Sequence, residues 1–279
     1  MKTNELINLG STFLKHNRIL SNKIDSEIIL SHILGISRER LLINETEIEQ
    51  DEVKKFKSLI LRRSKNEPVA YIVNNKEFRS KNFFVDKNSL VPRPETELLI
   101  DPIIKMFKKK KPYFLEVGLG TGCLTYSILS ELNQSRGVAI DVSKETLNNA
   151  KKNLKKFKNR IKLLTTSVES LRNTKFDLIV SNPPYIITRE IKQLAFDIQK
   201  FEPRIALDGG NDGLDVVRKV IYKSKNILKY NGILALEIGT GQYCKVMKIL
   251  KANSFKKKML IKDYKNNVRC IFSTLLRKK

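Results

Sequence analysis

Asn182-Pro183-Pro184-Tyr185 ends the apolar run Phe176-Asp-Leu-Ile-Val-Ser181 and brings an amide, two proline carbonyls and an aromatic ring to one spot. A residue before proline is held extended, so the restraint falls on Asn182 and Pro183. The Asn182 side-chain oxygen and the Pro183 carbonyl can therefore face the same small volume, and two acceptors side by side suit a planar NH₂ group. Taken alone, the four residues can also be read as a proline-terminated strand whose Asn caps a turn. The rest of the chain has to decide between these.

A second stretch, Glu116-Val-Gly118-Leu-Gly120-Thr-Gly122-Cys123, places glycines at alternate positions after an apolar segment. Glycine lets the backbone take positive φ and approach a ligand closely. The dinucleotide fingerprint needs a glycine where Cys123 stands, and no Gly-Lys-Ser/Thr follows for a P-loop. A nucleoside without a pyrophosphate fits better. Asp141, about twenty residues on at the end of the next predicted strand, is placed to accept from ribose hydroxyls. The three cysteines (Cys123, Cys244 and Cys270) lack CxxC spacing, and His16 and His32 are the only histidines, so the expectation is no metal.

These groups need a frame. From Tyr113 onward, strands are predicted at Tyr113–Val117, Val138–Asp141, Ile161–Thr165, Phe176–Ser181, Ile233–Ile238, Lys257–Lys262 and Arg269–Thr274. Helices are predicted after the first three strands, at about 213–230 and at 242–252. Alternation of this kind is a doubly wound α/β sheet whose ligands sit at the carboxyl ends of its strands. If the first and fourth strands flank the switch point of strand order, the loops after Val117 and Ser181 meet. Leu178, Ile179 and Val180 read as a strand buried on both faces.

From Glu5 to about Lys65, apolar residues recur at three- and four-residue steps (Leu6, Leu9, Phe13; Ile24, Ile28, Ile29; Val53, Phe56, Leu59, Ile60), which predicts a small helical bundle, with Gly35 ending its second helix. Alternation at Val69, Tyr71 and Val73 and again at Phe83 and Val85, with Asn74-Asn75 between, predicts a β-hairpin joining two domains. Pro92-Arg-Pro94-Glu-Thr-Glu97 then opens a helix, its acidic residues over the positive end of the dipole.

The formal net charge is +25 over 279 residues, but 39 of the 54 basic residues are Lys. Specific phosphate contacts favour Arg, so the excess reads as compositional bias. It predicts no stable nucleic-acid partner, although it suits an acidic protein partner. No signal peptide or membrane-spanning run is apparent, so the expectation is a cytoplasmic protein without a membrane partner, taken as a monomer.

The glycine loop, Asp141 and Asn182-Pro-Pro-Tyr185 resemble S-adenosylmethionine-dependent methyltransferases acting on planar nitrogens. Further motifs narrow the resemblance: Arg62-Arg63, Glu67-Pro-Val-Ala-Tyr71, Glu77-Phe78, Val91-Pro-Arg-Pro-Glu-Thr-Glu97, Glu202-Pro203, Ala206-Leu207, Asp212-Gly-Leu-Asp215, and Glu237-Ile-Gly239 with Gln242. In order and spacing, over nearly the whole chain, these are similar to the peptide-chain release factor glutamine methyltransferases. The resemblance implies a seven-stranded Rossmann-like sheet (residues 93–279), an N-terminal helical substrate-docking domain (1–66) and a β-hairpin linker (67–92). It also implies S-adenosyl-L-methionine as cofactor and class I release factors as partners, methylated at N5 of the glutamine in their Gly-Gly-Gln loop. By the same resemblance Glu116, Gly118, Gly120 and Gly122 line the methionine moiety, Asp141 takes the ribose, and Val168 supplies a wall beside the adenine. Asn182 and Pro183 hold the glutamine amide, with Pro184 and Tyr185 packing beside it. Leu119 stands where the family usually has Thr, and Ser167-Val168 where many members have an acidic residue and an aromatic. A ribosomal protein glutamine or a nucleic-acid adenine is the alternative acceptor.

Overall fold

The computed structural model describes residues 1–172 and 174–276, and the chain divides into two compact units. The first comprises Met1–Asn75 and Ala195–Phe201. Its helices are α1 (Thr3–His16), α2 (Asn22–Leu34), α3 (Arg38–Ile43), α4 (Gln50–Ser64) and the single turn α5 (Val69–Ile72). Leu6, Ile7 and Leu14 of α1 close on Ile29 and Leu30 of α2 and on Phe56 and Ile60 of α4. A Cβ on Gly10 would come within 2.6 Å of the Phe56 ring, so glycine there lets that ring reach α1. Gly35 ends α2 at φ 64°, the left-handed cap its position predicts. Ser37, whose side chain accepts from the Arg40 N–H, starts α3, a short helix with too few apolar repeats to stand out in the sequence.

Arg62-Arg63 and Glu67 prove to be parts of this unit's frame. Arg63 Nε donates to the buried Asp25 carboxylate at 2.7 Å and its Nη1 to the Glu67 carbonyl at 3.2 Å, while Arg62 forks onto the Glu67 side chain. Arg63→Ala leaves Asp25 buried without its charge partner. The expected cost is about 3–5 kcal/mol, read as a lower midpoint of denaturant unfolding.

The expected strand at Val69–Val73 is not formed. Pro68 precedes a helical turn, and Ala70, Tyr71, Ile72 and Val73 are buried in succession, a pattern no half-exposed strand can give. The hairpin begins later, as β1 (Asn75–Phe78) and β2 (Lys81–Phe84). Its turn is at Arg79-Ser80, not Asn74-Asn75, and both turn residues have positive φ (48° and 55°), as a tight primed turn requires.

The second unit, Lys76–Leu194 with Glu202–Lys279, opens with a 3₁₀ turn (Pro94–Leu99) that runs into α6 (Ile100–Phe107). There follow β3 (Tyr113–Val117), α7 (Cys123–Glu131), β4 (Arg136–Asp141), α8 (Lys144–Asn153), β5 (Ile161–Thr165) and β6 (Phe176–Ser181). After α9 (Phe196–Phe201), a segment grouped with the first unit, come α10 (Asp215–Ile227), β7 (Leu228–Glu237), α11 (Tyr243–Ala252), β8 (Phe255–Lys262) and β9 (Val268–Leu275). The predicted helix after β5 is only the 3₁₀ turn Val168–Ser170.

The seven strands lie in the order β5-β4-β3-β6-β7-β9-β8, parallel except for β9, which is antiparallel to both neighbours. The period of two explains the layering. Leu178 and Val180 pack with α6, α7 and α8, whereas Ile179 packs with α10 and α11 on the other face. All three are fully buried, each side chain contributing about 1.5–3 kcal/mol of burial. From β3 the chain moves outward through β4 to β5 and then returns to the other side of β3 as β6. Their following loops diverge, leaving a crevice at the carboxyl ends.

Candidate active site

A cavity of about 340 Å³ fills that crevice. Its floor is the glycine loop after β3. Gly118, Gly120 and Gly122 have φ of 77°, 54° and 81°, a region costly for residues with a Cβ. The N–H groups of Gly118 and Leu119 both reach the Ile140 carbonyl at 3.0 Å, folding the loop over the end of β4. Space in front of Gly120 is open, while a Cβ on Gly122 would meet Leu154 at 3.0 Å. Gly118 and Gly120 therefore line the cavity, and Gly122 does not; it starts α7 and packs inward.

Two carboxylates face this floor. Glu116 is buried on β3, and one of its oxygens accepts from both the N–H and the hydroxyl of Thr125. Burial pushes its carboxyl from an ordinary 4.5 up to about 8, against the Thr125 bonds; the neighbouring Asp141 charge adds to the rise. Asp141, at the end of β4, accepts from Gly120 N at 3.1 Å and Ser143 N at 3.0 Å. It braces the glycine loop as well as facing the cavity, and burial raises its pKa while those backbone bonds oppose the rise. Val168 and Val142 add apolar wall beside them, where no aromatic stands.

The wall opposite comes from 88–96. Asn153 on α8 accepts from Phe84 N and donates to the Phe84 and Thr121 carbonyls, and Asn149 donates to Asp86. Thr146 Oγ1 donates to the Asn88 carbonyl at 2.6 Å. These bonds lay the segment after β2 along α8, so that Leu90, Pro92, Arg93 and Thr96 reach the cavity. Arg93 holds Glu202 through two bonds, 2.7 and 2.8 Å, fixing the segment whose Pro203, Ile205 and Ala206 close another side.

Val117 and Ser181 are register partners, and Ser181 Oγ donates to the Val117 carbonyl at 2.7 Å, so the loops after β3 and β6 do meet. Asn182, Pro183 and Pro184 line the cavity there. Asn182 Nδ2 donates to Thr96 Oγ1 at 3.0 Å. Among the described residues neither the Asn182 side-chain oxygen nor the Pro183 carbonyl accepts a hydrogen bond. The pair is open for a ligand that brings two N–H groups.

Tyr185 lies elsewhere than expected, lining an adjacent cleft with Gln242 and Arg269. Its hydroxyl accepts from Arg269 at 3.0 Å and donates to Glu237 at 3.3 Å. Burial first, and then the Glu237 charge, push the phenol up to about 12, so it stays protonated. Gln242 ties the backbone that follows: its Nε2 donates to the carbonyls of Tyr185 (2.9 Å) and Gly213 (3.1 Å), and its oxygen accepts from Gly239 N. A Cβ on Gly213 would come within 2.5 Å of the Tyr185 carbonyl, which accounts for glycine there. Glu237 and Gln242 belong to motifs visible in the sequence, yet only the fold shows what they touch. Arg269 carried no sequence signal. Among the described residues no His, Cys, Asp or Glu cluster could hold a metal ion, and no helix is long and apolar enough to cross a membrane.

The strand order, the glycine loop and the crevice between β3 and β6 define a Rossmann-like methyltransferase. Residues 5–73 match the PrmC N-terminal domain family, and residues 94–201 match the methyltransferase small domain family. The chain is 35% identical to a release factor glutamine methyltransferase of Clostridium botulinum over 276 residues, covering 96% of this chain and 97% of that one. It is 33% identical to a bifunctional methyltransferase of Rickettsia felis over 96% of its own length, but spans only 57% of that relative. A solved ribosomal protein L11 methylase from Lactobacillus delbrueckii subsp. bulgaricus shares the fold, with a TM-score of 0.51 at 20% identity over 68% of this chain and 82% of its own. The chain belongs to the release factor glutamine methyltransferase family. The family's cofactor is S-adenosylmethionine, and a glycine floor open at Gly120, flanked by two carboxylates, fits a cationic nucleoside of that kind.

Proposed function

We propose that this chain transfers the methyl of S-adenosylmethionine to the N5 amide nitrogen of the glutamine in the Gly-Gly-Gln loop of a class I release factor. The observation that carries this reading is the unused acceptor pair at Asn182 and Pro183, in the same cavity as the glycine floor. Glu116, Gly118, Gly120, Asp141 and Val168 would hold the cofactor, with Asn182 between it and the amide. When bound, the cofactor supplies a methyl group already activated on a sulfonium. The chain supplies position. An amide nitrogen is a weak nucleophile because its lone pair is delocalised. With both N–H bonds accepted by fixed oxygens, the nitrogen is held in one orientation, and positive charge growing on it meets dipoles that need not reorganise. Tyr185, anchored through its phenol, stiffens the loop that carries both acceptors.

Methyl transfer from labelled cofactor to intact release factor, a Gly-Gly-Gln peptide, a ribosomal protein and DNA tests the assignment. Release factor should be the preferred acceptor, and preferential methylation of DNA or of the ribosomal protein would overturn it. The N-terminal unit supplies none of the residues proposed for the site, and we assign it to docking the folded substrate. Leu20 is wholly exposed and Phe13 is 42% exposed. Phe13→Glu with Leu20→Glu should raise KM for intact release factor about tenfold, the scale of one lost interface anchor. The kcat, and the kinetics with the free peptide, should stay unchanged, as loss of uniform binding requires.

A further inference from the structure

We infer that Thr96 is a positioning residue for methyl transfer, acting with Glu237 to hold the Asn182 carboxamide with its oxygen toward the acceptor nitrogen. The inference rests on the role given above to Asn182. Thr96 sits on the 3₁₀ turn before α6, and its buried hydroxyl donates to Glu237 Oε2 at 2.7 Å while Asn182 Nδ2 points at it from 3.0 Å. Glu237, at the end of β7, is fully buried, and its other oxygen faces the Tyr185 hydroxyl and, at 3.5 Å, Arg269. Burial pushes the Glu237 carboxyl up, and the Thr96 bond and Arg269 charge oppose the rise.

The direction of each bond follows from counting protons. A hydroxyl has one proton and a carboxylate none. Thr96, Tyr185 and Arg269 all donate to Glu237, so the Thr96 proton goes to Glu237 and only lone pairs remain on the side facing Asn182. An N–H donor satisfies them and a carbonyl oxygen does not, so the NH₂ of Asn182 turns to Thr96 and its oxygen is left for the cavity. Rotating the carboxamide by half a turn would set oxygen against oxygen and aim an NH₂ at the substrate NH₂. Two bonds would be lost together. Asn182 shows only which groups are available to a ligand; Thr96 and Glu237 decide which of them faces it.

Thr96→Val keeps the shape and removes both bonds. In the otherwise unchanged chain it should lower kcat roughly 10- to 100-fold, less than loss of the acceptor itself, with the Kd for S-adenosylhomocysteine unchanged. Thr96→Ser should restore most of the rate. In an Asn182→Ala background, Thr96→Val should change kcat by less than about threefold, because its only path to the reaction is then gone. A merely structural role predicts the same loss in both backgrounds. That result overturns the inference, as do an unchanged rate in the parent background or weakened cofactor binding. If Thr96→Val fails to fold, Thr96→Cys, a weaker donor and acceptor, carries the same two-background comparison with the same outcomes. The Asn182→Ala chain by itself separates the two levels: a parental rate there refutes the role of Asn182, whereas a large loss there with additive Thr96→Val effects refutes only the role of Thr96.

Discussion

Asn182→Ala should fold, bind cofactor within about twofold of the parent, and lose roughly 10²–10³ in kcat, the scale of one preorganised polar group removed from a reacting centre. The substitution takes away one of two acceptors for the substrate NH₂. It leaves the glycine floor and the Asp141 brace untouched, since Asn182 bonds neither. The Thr96 hydroxyl loses a donor but keeps Glu237, so the cost to stability is that of one partly buried bond, about 1 kcal/mol. Single-turnover methyl transfer, with cofactor affinity from calorimetry and a melting curve, separates the possibilities. A folded variant that turns over at the parental rate would sink the mechanism, and global unfolding would return Asn182 to the role of a turn residue.

Cofactor affinity should rise steeply with pH up to about 8 and level off above it. The cause is Glu116, whose carboxyl burial raises to about 8, so at neutral pH the empty site holds it mostly protonated. A cofactor bearing ammonium and sulfonium charges favours the ionised form, and binding then expels close to one proton. Below the raised pKa the Kd should increase about tenfold per pH unit. Between pH 8 and pH 6 the loss is about 50-fold. Calorimetry at pH 7 in buffers of different ionisation enthalpy counts the proton directly, and Glu116→Gln should flatten the profile. An affinity independent of pH between 6 and 8 in the parent would show that Glu116 does not ionise on binding. The sign for stability runs the other way. A carboxyl whose folded pKa is raised contributes stability that is fully present below 4.5 and is lost as pH rises through about 8. The cofactor-free chain should therefore melt at a lower temperature at pH 8.5 than at pH 6, and bound cofactor should narrow the gap.

Much of this protein is local in its coding and therefore legible in the chain. The strands Tyr113–Val117, Ile161–Thr165 and Phe176–Ser181 have the bounds that apolar runs and punctuating residues predict, because such runs and, after Ser181, a proline stop need only neighbours in sequence. Gly35 ends its helix, and Gly118, Gly120 and Gly122 all take the positive φ that their spacing suggests, for the same reason. Where two patterns compete, local reading fails. Val69, Tyr71 and Val73 alternate, yet tertiary burial of every residue from Ala70 to Val73 favours a helical turn, and the hairpin turn moves to Arg79-Ser80, which lacks the Asn, Asp or Gly that marks a two-residue primed turn. The sequence by itself determined the α/β sheet with a helical N-terminal region, the turn of glycines after its first strand, and the presence of an amide and a proline carbonyl at one strand end. Only the tertiary structure decided which side chains act together. The β7–β9 register sets Cys270 opposite Glu237, and this brings Arg269 to Glu237. The turn at Pro94–Leu99 brings Thr96 to the same carboxylate from 141 residues away, and Tyr185 is drawn out of the cavity to join them. A hydrogen bond depends on two groups meeting at the right distance and angle, and for groups this far apart in the chain that meeting is set by strand order and register, which spacing along the sequence does not contain.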